Sequence, residues 1–208
     1  MEFQLLDGLS AAERQAVQAS ARRRRFARRE VVFHHGDPAD AIHLVVSGRF
    51  SIRAMTPLGD TVMFAVVGPG QFFGELGLMG ERATRTATVA ALEAAETRSL
   101  HRSDFNRLQR EHPAVAGVLL NALTAQVDRL SRHLVEALYV PAEKRLLNRL
   151  QELRDLYTDE SGDCTIPLTQ EDLAELAGTS RATVNRVLRD QQRRGALELR
   201  RGKTVILA

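Results

Sequence analysis

The chain has 208 residues, 44% of them apolar and 26% charged, with a formal net charge of +3. That length suits one large or two small domains with a real core, and no apolar run approaches the roughly 20 residues that cross a bilayer. The single cysteine, Cys164, rules out an intrachain disulfide and a cysteine-held metal cluster; Met1-Glu2-Phe3-Gln4 lacks the basic start and apolar stretch of a signal peptide, so a cytoplasmic protein is expected.

In chain order, a helix is expected over Ser10 to Ala21. The basic run Arg22 to Arg25, with Arg28 and Arg29, reads as a solvated face. Short apolar runs rich in branched residues then follow: Val31-Val32-Phe33, Ile42 to Val46, Phe50-Ser51-Ile52, Val62 to Val67 and Thr86 to Val89. Turn signals separate them at Gly36-Asp37-Pro38, Ser47-Gly48, Pro57 to Asp60 and Gly68-Pro69-Gly70, so the region reads as a closed or double-sheet jelly roll. Within it, Gln71 to Leu78 contains Gly74-Glu75-Leu76 at a short helix start, and Arg85-Thr86-Ala87 follows. Backbone amides there, with Arg85, suit a phosphate; Thr86 adds a hydroxyl, and Glu75 suits a ribose hydroxyl. A capping helix over Ser103 to Gln109 closes the roll.

From Pro113 to about Tyr139 the chain reads as one long helix. Ala116, Leu120, Leu123, Val127, Leu130, Leu134 and Ala137 recur at alternating spacings of four and three, a coiled-coil seam. The stripe is narrow and runs the full helix, which favours a symmetric dimer helix over one packing on its own domain. Pro141 is placed to open the next helix, Ala142 to Tyr157, and a polar stretch follows at 158–163.

Thr169-Gln170-Glu171-Asp172 has the pattern of a capping box, and Leu173, Leu176 and Ala177 share one face of the helix it opens. Gly178 ends that helix, and Ser180 caps a second with Val184, Val187 and Leu188 inward. Ala174 lies four residues before Gly178 and Val184 six after: a small residue for close crossing, a glycine for the turn, a branched plug for the angle. These three demands met together mark a helix-turn-helix. The second helix presents Arg181, Asn185, Arg186 and Arg189 outward. Arg181 and Arg186 suit bidentate pairs to guanine, Asn185 an adenine or a phosphate, and Thr179, Ser180 and Thr183 phosphate oxygens. Strands around Arg201-Gly202-Lys203 form a hairpin wing whose Arg201 and Lys203 suit the flanking DNA backbone. From Thr179 onward there are eight basic residues and two acidic ones, an excess that fits a polyanion.

Taken together, Phe72 to Leu78, Arg85-Thr86-Ala87, the long helix and Ser180-Arg181-Ala182-Thr183-Val184-Asn185-Arg186 resemble the cyclic-AMP receptor protein/FNR family of bacterial transcription regulators over nearly the whole chain. The resemblance implies an α+β fold: a cyclic-nucleotide-binding-type sensor β-roll (1–112), a dimerisation helix (113–140) and a winged helix-turn-helix (141–208). It implies a homodimer on a palindromic double-stranded site, with RNA polymerase as a further partner. It places cyclic AMP, or another cyclic nucleotide, on Gly74, Glu75, Leu76, Arg85, Thr86 and Ala87. The two dimer-helix positions that meet the adenine are Leu130 and Ser131; Ser131 fits, whereas leucine cannot bond an exocyclic amine. Ala182 departs too, standing where a base-reading glutamate is familiar. The alternative is the same fold with a degenerate pocket, a ligand-independent regulator set by abundance. An iron–sulfur sensor needs several cysteines, and none of the six histidines sits in a haem motif. A metalloenzyme on the roll is not expected, because adjacent His34 and His35 would point to opposite faces of a strand.

Overall fold

A computed structural model describes residues 2–79, 83–158, 162–200 and 203–207. The chain divides into two compact units. One comprises the chain up to Ala54 together with Ala65–Asp128; the other comprises Met55–Phe64 and the chain from Arg129 onward.

The first unit opens with a 3-10 turn, Gln4–Leu6, and α1, Ala11–Ser20. Ser10 starts α1 through a reciprocal capping box: its hydroxyl accepts from the Glu13 amide, and the Glu13 carboxylate accepts from the Ser10 amide at 2.7 Å. Strands β1 (Arg22–Phe26), β2 (Val31–Phe33), β3 (Ala41–Ser47), β4 (Phe50–Met55), β5 (Thr61–Val67), β6 (Phe72–Phe73), β7 (Thr88–Ala91) and β8 (Ala95–His101) form two four-stranded sheets. Their orders are β1-β8-β3-β6 and β2-β7-β4-β5, the double-sheet roll expected. Between the sheets lie Phe26, Val45, Phe50, Val67, Phe73 and Val89. On the other face of β3, Ile42 and Leu44 pack with Leu5, Leu6, Leu100, Phe105, Val115 and Leu119. Buried on both faces, β3 therefore reads as a continuous apolar run rather than an alternation.

The basic run Arg22 to Arg25 is solvent-exposed as expected, but it is a strand. It pairs with β8, and Arg23 donates to both oxygens of Glu96 on that neighbour, holding the carboxyl below the usual carboxylate range. An arginine strand carries no apolar period, so only Phe26 marks its inner face. Two further differences are local. His34 and His35 lie beyond the end of β2, in a turn rather than on a strand. Pro141 is the N-cap of the helix it precedes, with ψ 144°.

After β6 come α2 (Glu75–Met79), then α3 (Arg102–Glu111) and α4 (Pro113–Tyr139). The second unit holds α5 (Ala142–Tyr157), β9 (Cys164–Ile166), α6 (Gln170–Ala177), α7 (Arg181–Arg193), β10 (Leu197–Arg200) and β11 (Lys203–Ile206). Residues 159–161 of the polar stretch lie outside the described residues. Strand β9, unforeseen from sequence, makes the wing a three-stranded sheet ordered β10-β11-β9. Leu146, Ile166, Leu173, Val184 and Leu188 close this core. Arg149 on α5, 3% exposed, bonds Glu136 on α4 and Glu152, so an ion network ties the end of α4 to α5.

His43 sits between the sheets, 1% exposed, stacked on Phe73 at 5.0 Å with Nδ1 3.1 Å from the Thr97 hydroxyl. Burial, reinforced by Arg85 and Arg24, pushes its pKa down from 6.5 to about 3. The folded chain therefore keeps His43 neutral where the unfolded chain protonates it, and stability falls as pH drops from about 6.5 towards 3. The variant His43→Phe keeps a ring on Phe73 and removes the proton. Its loss of denaturant resistance between pH 7 and pH 5 is expected to be smaller than that of the wild type.

Candidate functional sites: a buried-arginine anion site and a nucleic-acid interface

The roll gathers Gly74, Glu75 and Arg85 in one place. Loop 36–40 zips against 83–85: the Gly36 amide donates to the Arg85 carbonyl at 2.9 Å, and the Arg85 amide to the Asp37 carbonyl at 2.8 Å. Arg102, donating to the carbonyls of Ala39 at 2.8 Å and Gly77 at 3.0 Å, holds α2 against this loop. On that frame the Arg85 side chain is 2% exposed. Its Nη1 donates to the carbonyls of Ala41 at 2.8 Å and Gly74 at 3.2 Å, and its Nη2 to Asp40 Oδ1 at 2.9 Å. The guanidinium lies 4.0 Å from the centre of the Phe33 ring. Nε is buried with no hydrogen-bond partner among the described residues. Burial draws the Arg85 pKa below its ordinary value, while Asp40 opposes the shift.

Gly74 has φ +91°, and a Cβ there would stand 2.8 Å from Arg85 Nη1 and 3.3 Å from the Ala41 carbonyl. Half-buried Glu75 has its pKa raised by burial, against the pull of its own backbone and Arg85. Leu76 is half-buried, Ala87 is buried, and Thr86 is exposed. Leu130 and Ser131 belong to the second unit, Leu130 partly and Ser131 well exposed. Asp40 and Phe33 carry no sequence signal for this place; pairing of distant loops and strands delivers them.

In the second unit, the capping box of α6 is present as expected. The Thr169 hydroxyl accepts from the Asp172 amide at 3.1 Å, and Asp172 accepts from the Thr169 amide at 2.8 Å. Gly178 ends α6 in the left-handed region at φ 59°. Arg145 on α5, absent from the sequence reading, grips this turn, donating to the carbonyls of Ala177 at 3.1 Å, Gly178 at 2.7 Å and Val140 at 2.9 Å. Ser180 caps α7, and its hydroxyl lies 3.0 Å from that of Thr183. Val184, Val187 and Leu188 are buried, which leaves Arg181, Ala182, Arg186 and Arg189 on the exposed face with Asn185 half-buried beside them. Arg186 is paired with Glu143 at 2.5 Å, and Asn185 with Gln170; neither partner was foreseen. Thr179 is half-buried, Lys203 is exposed at the start of β11, and Arg201 lies outside the described residues.

On α4, Leu120, Val127 and Leu134 are 65, 64 and 61% exposed. Leu123 is half-buried, and Ala137 is exposed.

A sensor-type roll with a buried arginine at its candidate anion site, in one chain with a winged helix-turn-helix, defines a DNA-binding transcription regulator carrying a cyclic nucleotide-binding domain. The comparisons agree. Residues 23–112 match the cyclic nucleotide-binding domain family, and 144–208 the Crp-like helix-turn-helix domain family. The cyclic AMP receptor protein of Thermus thermophilus is 30% identical over 195 residues, covering 94% of this chain and 88% of that protein. A CRP-like cAMP-activated global transcriptional regulator of Mycobacterium tuberculosis is 29% identical, covering 88% of this chain and 82% of that protein. The solved structure of the c-di-GMP-responsive regulator CLP of Xanthomonas campestris, 24% identical, superimposes with a TM-score of 0.80 over 96% of this chain and all of that one, which shows the shared fold. The chain belongs to the cyclic-AMP receptor protein/FNR family of transcription regulators.

Replacing Gly74 tests the construction of the candidate anion site. In Gly74→Ala the added methyl meets Arg85 Nη1 and forces a positive φ on alanine. The expected cost is about 1–3 kcal/mol in urea unfolding.

Proposed function

We propose that the chain is a homodimeric, sequence-specific DNA-binding regulator whose DNA affinity is set by a cyclic nucleotide, cyclic AMP first among them. Residues 1–112 sense, 113–140 pair the two copies, and 141–208 read DNA in the cytoplasm, with RNA polymerase as the further partner. Among the described residues no helix is long and apolar enough to cross a membrane.

The observation that carries the sensor reading is Arg85, buried as a cation with Nε unmet. A phosphate accepting from Nε and Nη2 would complete its hydrogen bonds. Gly74, Glu75, Leu76, Thr86 and Ala87 would line the phosphate and ribose, and Leu130 and Ser131 the base. Relatives named for cyclic AMP support the nucleotide. One observation favours a second reading: Leu130 stands where a polar base contact belongs, so a ligand-independent regulator set by abundance is the alternative. A dinucleotide such as c-di-GMP is a separate arm of the same titration.

Thr179, Ser180, Arg181, Thr183, Asn185, Arg186, Arg189, Arg201 and Lys203 would face DNA, at two half-sites about one helical turn apart. Leu120, Leu123, Val127, Leu130, Leu134 and Ala137 would form the dimer seam; the exposure of large apolar residues along α4 supports it.

Cyclic AMP is expected to release or absorb heat on binding and to raise DNA affinity by about 5- to 150-fold, and Arg85→Ala to abolish both. Absence of heat and of any affinity change with wild-type protein overturns the gating and leaves the abundance reading. Arg181→Ala should cost about 1–3 kcal/mol and relax preference at one guanine. Leu123→Glu and Leu134→Glu should each sediment as monomers that hold DNA poorly, since a charge would be buried in the seam.

A further inference from the structure

Asn185 is the reading-helix residue with the least determined role, because an asparagine amide is nearly symmetric in shape and opposite in polarity at its two ends. Turned one way, it presents a carbonyl oxygen and an N–H to a base edge, the complement of adenine N6 and N7. Turned half a revolution, the two ends exchange and the match is lost. Rotation about this bond is broad and roughly two-fold, so an unsupported asparagine samples both.

In this chain it is supported. Asn185 Nδ2 donates to Gln170 Oε1 at 3.3 Å across the junction of α6 and α7. Both side chains are half-buried there. Gln170 is the first residue of α6, and the capping box of Thr169 with Asp172 fixes the backbone on which it stands. With one Nδ2 hydrogen committed to Gln170, Asn185 keeps Oδ1 and its second N–H for a base. We propose that Gln170, with its Oε1 turned to Asn185 Nδ2, is a positioning residue that favours the orientation of Asn185 that reads adenine. This rests on the reading of α7 as the DNA-contacting helix, and it assigns to Gln170 a part in specificity although the capping pattern alone accounted for its place in the sequence.

Polarity makes the proposal testable. Gln170→Met keeps the length and removes the acceptor. Gln170→Glu keeps an acceptor, can only accept, and adds a negative charge. Full-length wild type, both variants, Asn185→Ala and the double variant Asn185→Ala/Gln170→Met are compared by selection from a randomised duplex library, with and without cyclic AMP. Melting temperatures check that each is folded.

The wild-type profile should contain an adenine position whose preference Asn185→Ala abolishes. Gln170→Met should reduce that preference by about tenfold and leave the other positions intact. Gln170→Glu should keep the preference while binding every sequence more weakly, through repulsion by the phosphates. The double variant should read that position no worse than Asn185→Ala alone. A uniform loss of affinity in Gln170→Met, with the profile unchanged, overturns the proposal, because support of the fold alone would do that. Loss of the adenine in Gln170→Glu overturns the assigned polarity, and an Asn185→Ala profile like the wild type overturns the adenine reading. A wild type that selects no sequence overturns the DNA-reading function itself, a separate result.

Discussion

The first unit is organised around a charge kept out of water. Arg85 is almost fully covered, and a guanidinium in that position is tolerable only where acceptors surround it. Three come from two separated parts of the chain: Asp40 and Ala41, adjacent residues at the entry to β3, and Gly74 before α2. The same cation therefore joins a strand, a helix start and a loop. Asp40 supplies one oxygen to Nη2 and is itself 71% exposed, so it balances the charge from the solvent side while Nε stays unmet among the described residues. A group with one donor still unmet is suited to recognising an anion, since the cost of burying that donor is already present before any ligand arrives.

The second unit solves a different problem, the aiming of a helix. Within α7 Asp190 pairs with Arg193, but Asn185 and Arg186 are directed from outside the helix. Direction comes from neighbours: Glu143 on Arg186, Gln170 on Asn185 and the Ser180 cap at the first turn. The Glu143–Arg186 pair is open to solvent and contributes little stability. Its effect is to narrow the positions Arg186 visits.

What could be read from the sequence was what local chemistry decides. The bounds of α4 and α5, the two caps at Thr169 and Ser180 and the left-handed Gly178 follow from spacing and residue type within a few positions. The strands that escaped notice lack such marks. Strand β1 is four arginines and a phenylalanine, β6 is two residues long, and β8 carries Glu96, Thr97 and Ser99 on an interior strand. Each is a strand because a neighbour pairs with it, and pairing leaves no period in the strand itself. The sites divide in the same way. Gly74, Glu75 and Arg85 share one motif and were found together. Asp40, Phe33, Gln170, Glu143 and Arg145 reach their places through the fold; apart from the bond of Arg145 to nearby Val140, the hydrogen bonds they make span 15 to 45 residues of chain.

Arg145 has a mechanical consequence. One planar guanidinium holds the carbonyl of Val140, just past the end of α4, and those of Ala177 and Gly178 at the turn. The three acceptors lie on either side of the joint formed by Pro141. With that joint pinned, the terminal turn of α4 and the turn before α7 behave as a stiff crank rather than a swivel. Lysine also has three donors, but all on one atom at the end of a flexible stem, whereas Arg145 spreads its bonds over three nitrogens of a rigid plane, so the stiffness belongs to the shape of the guanidinium as much as to its charge.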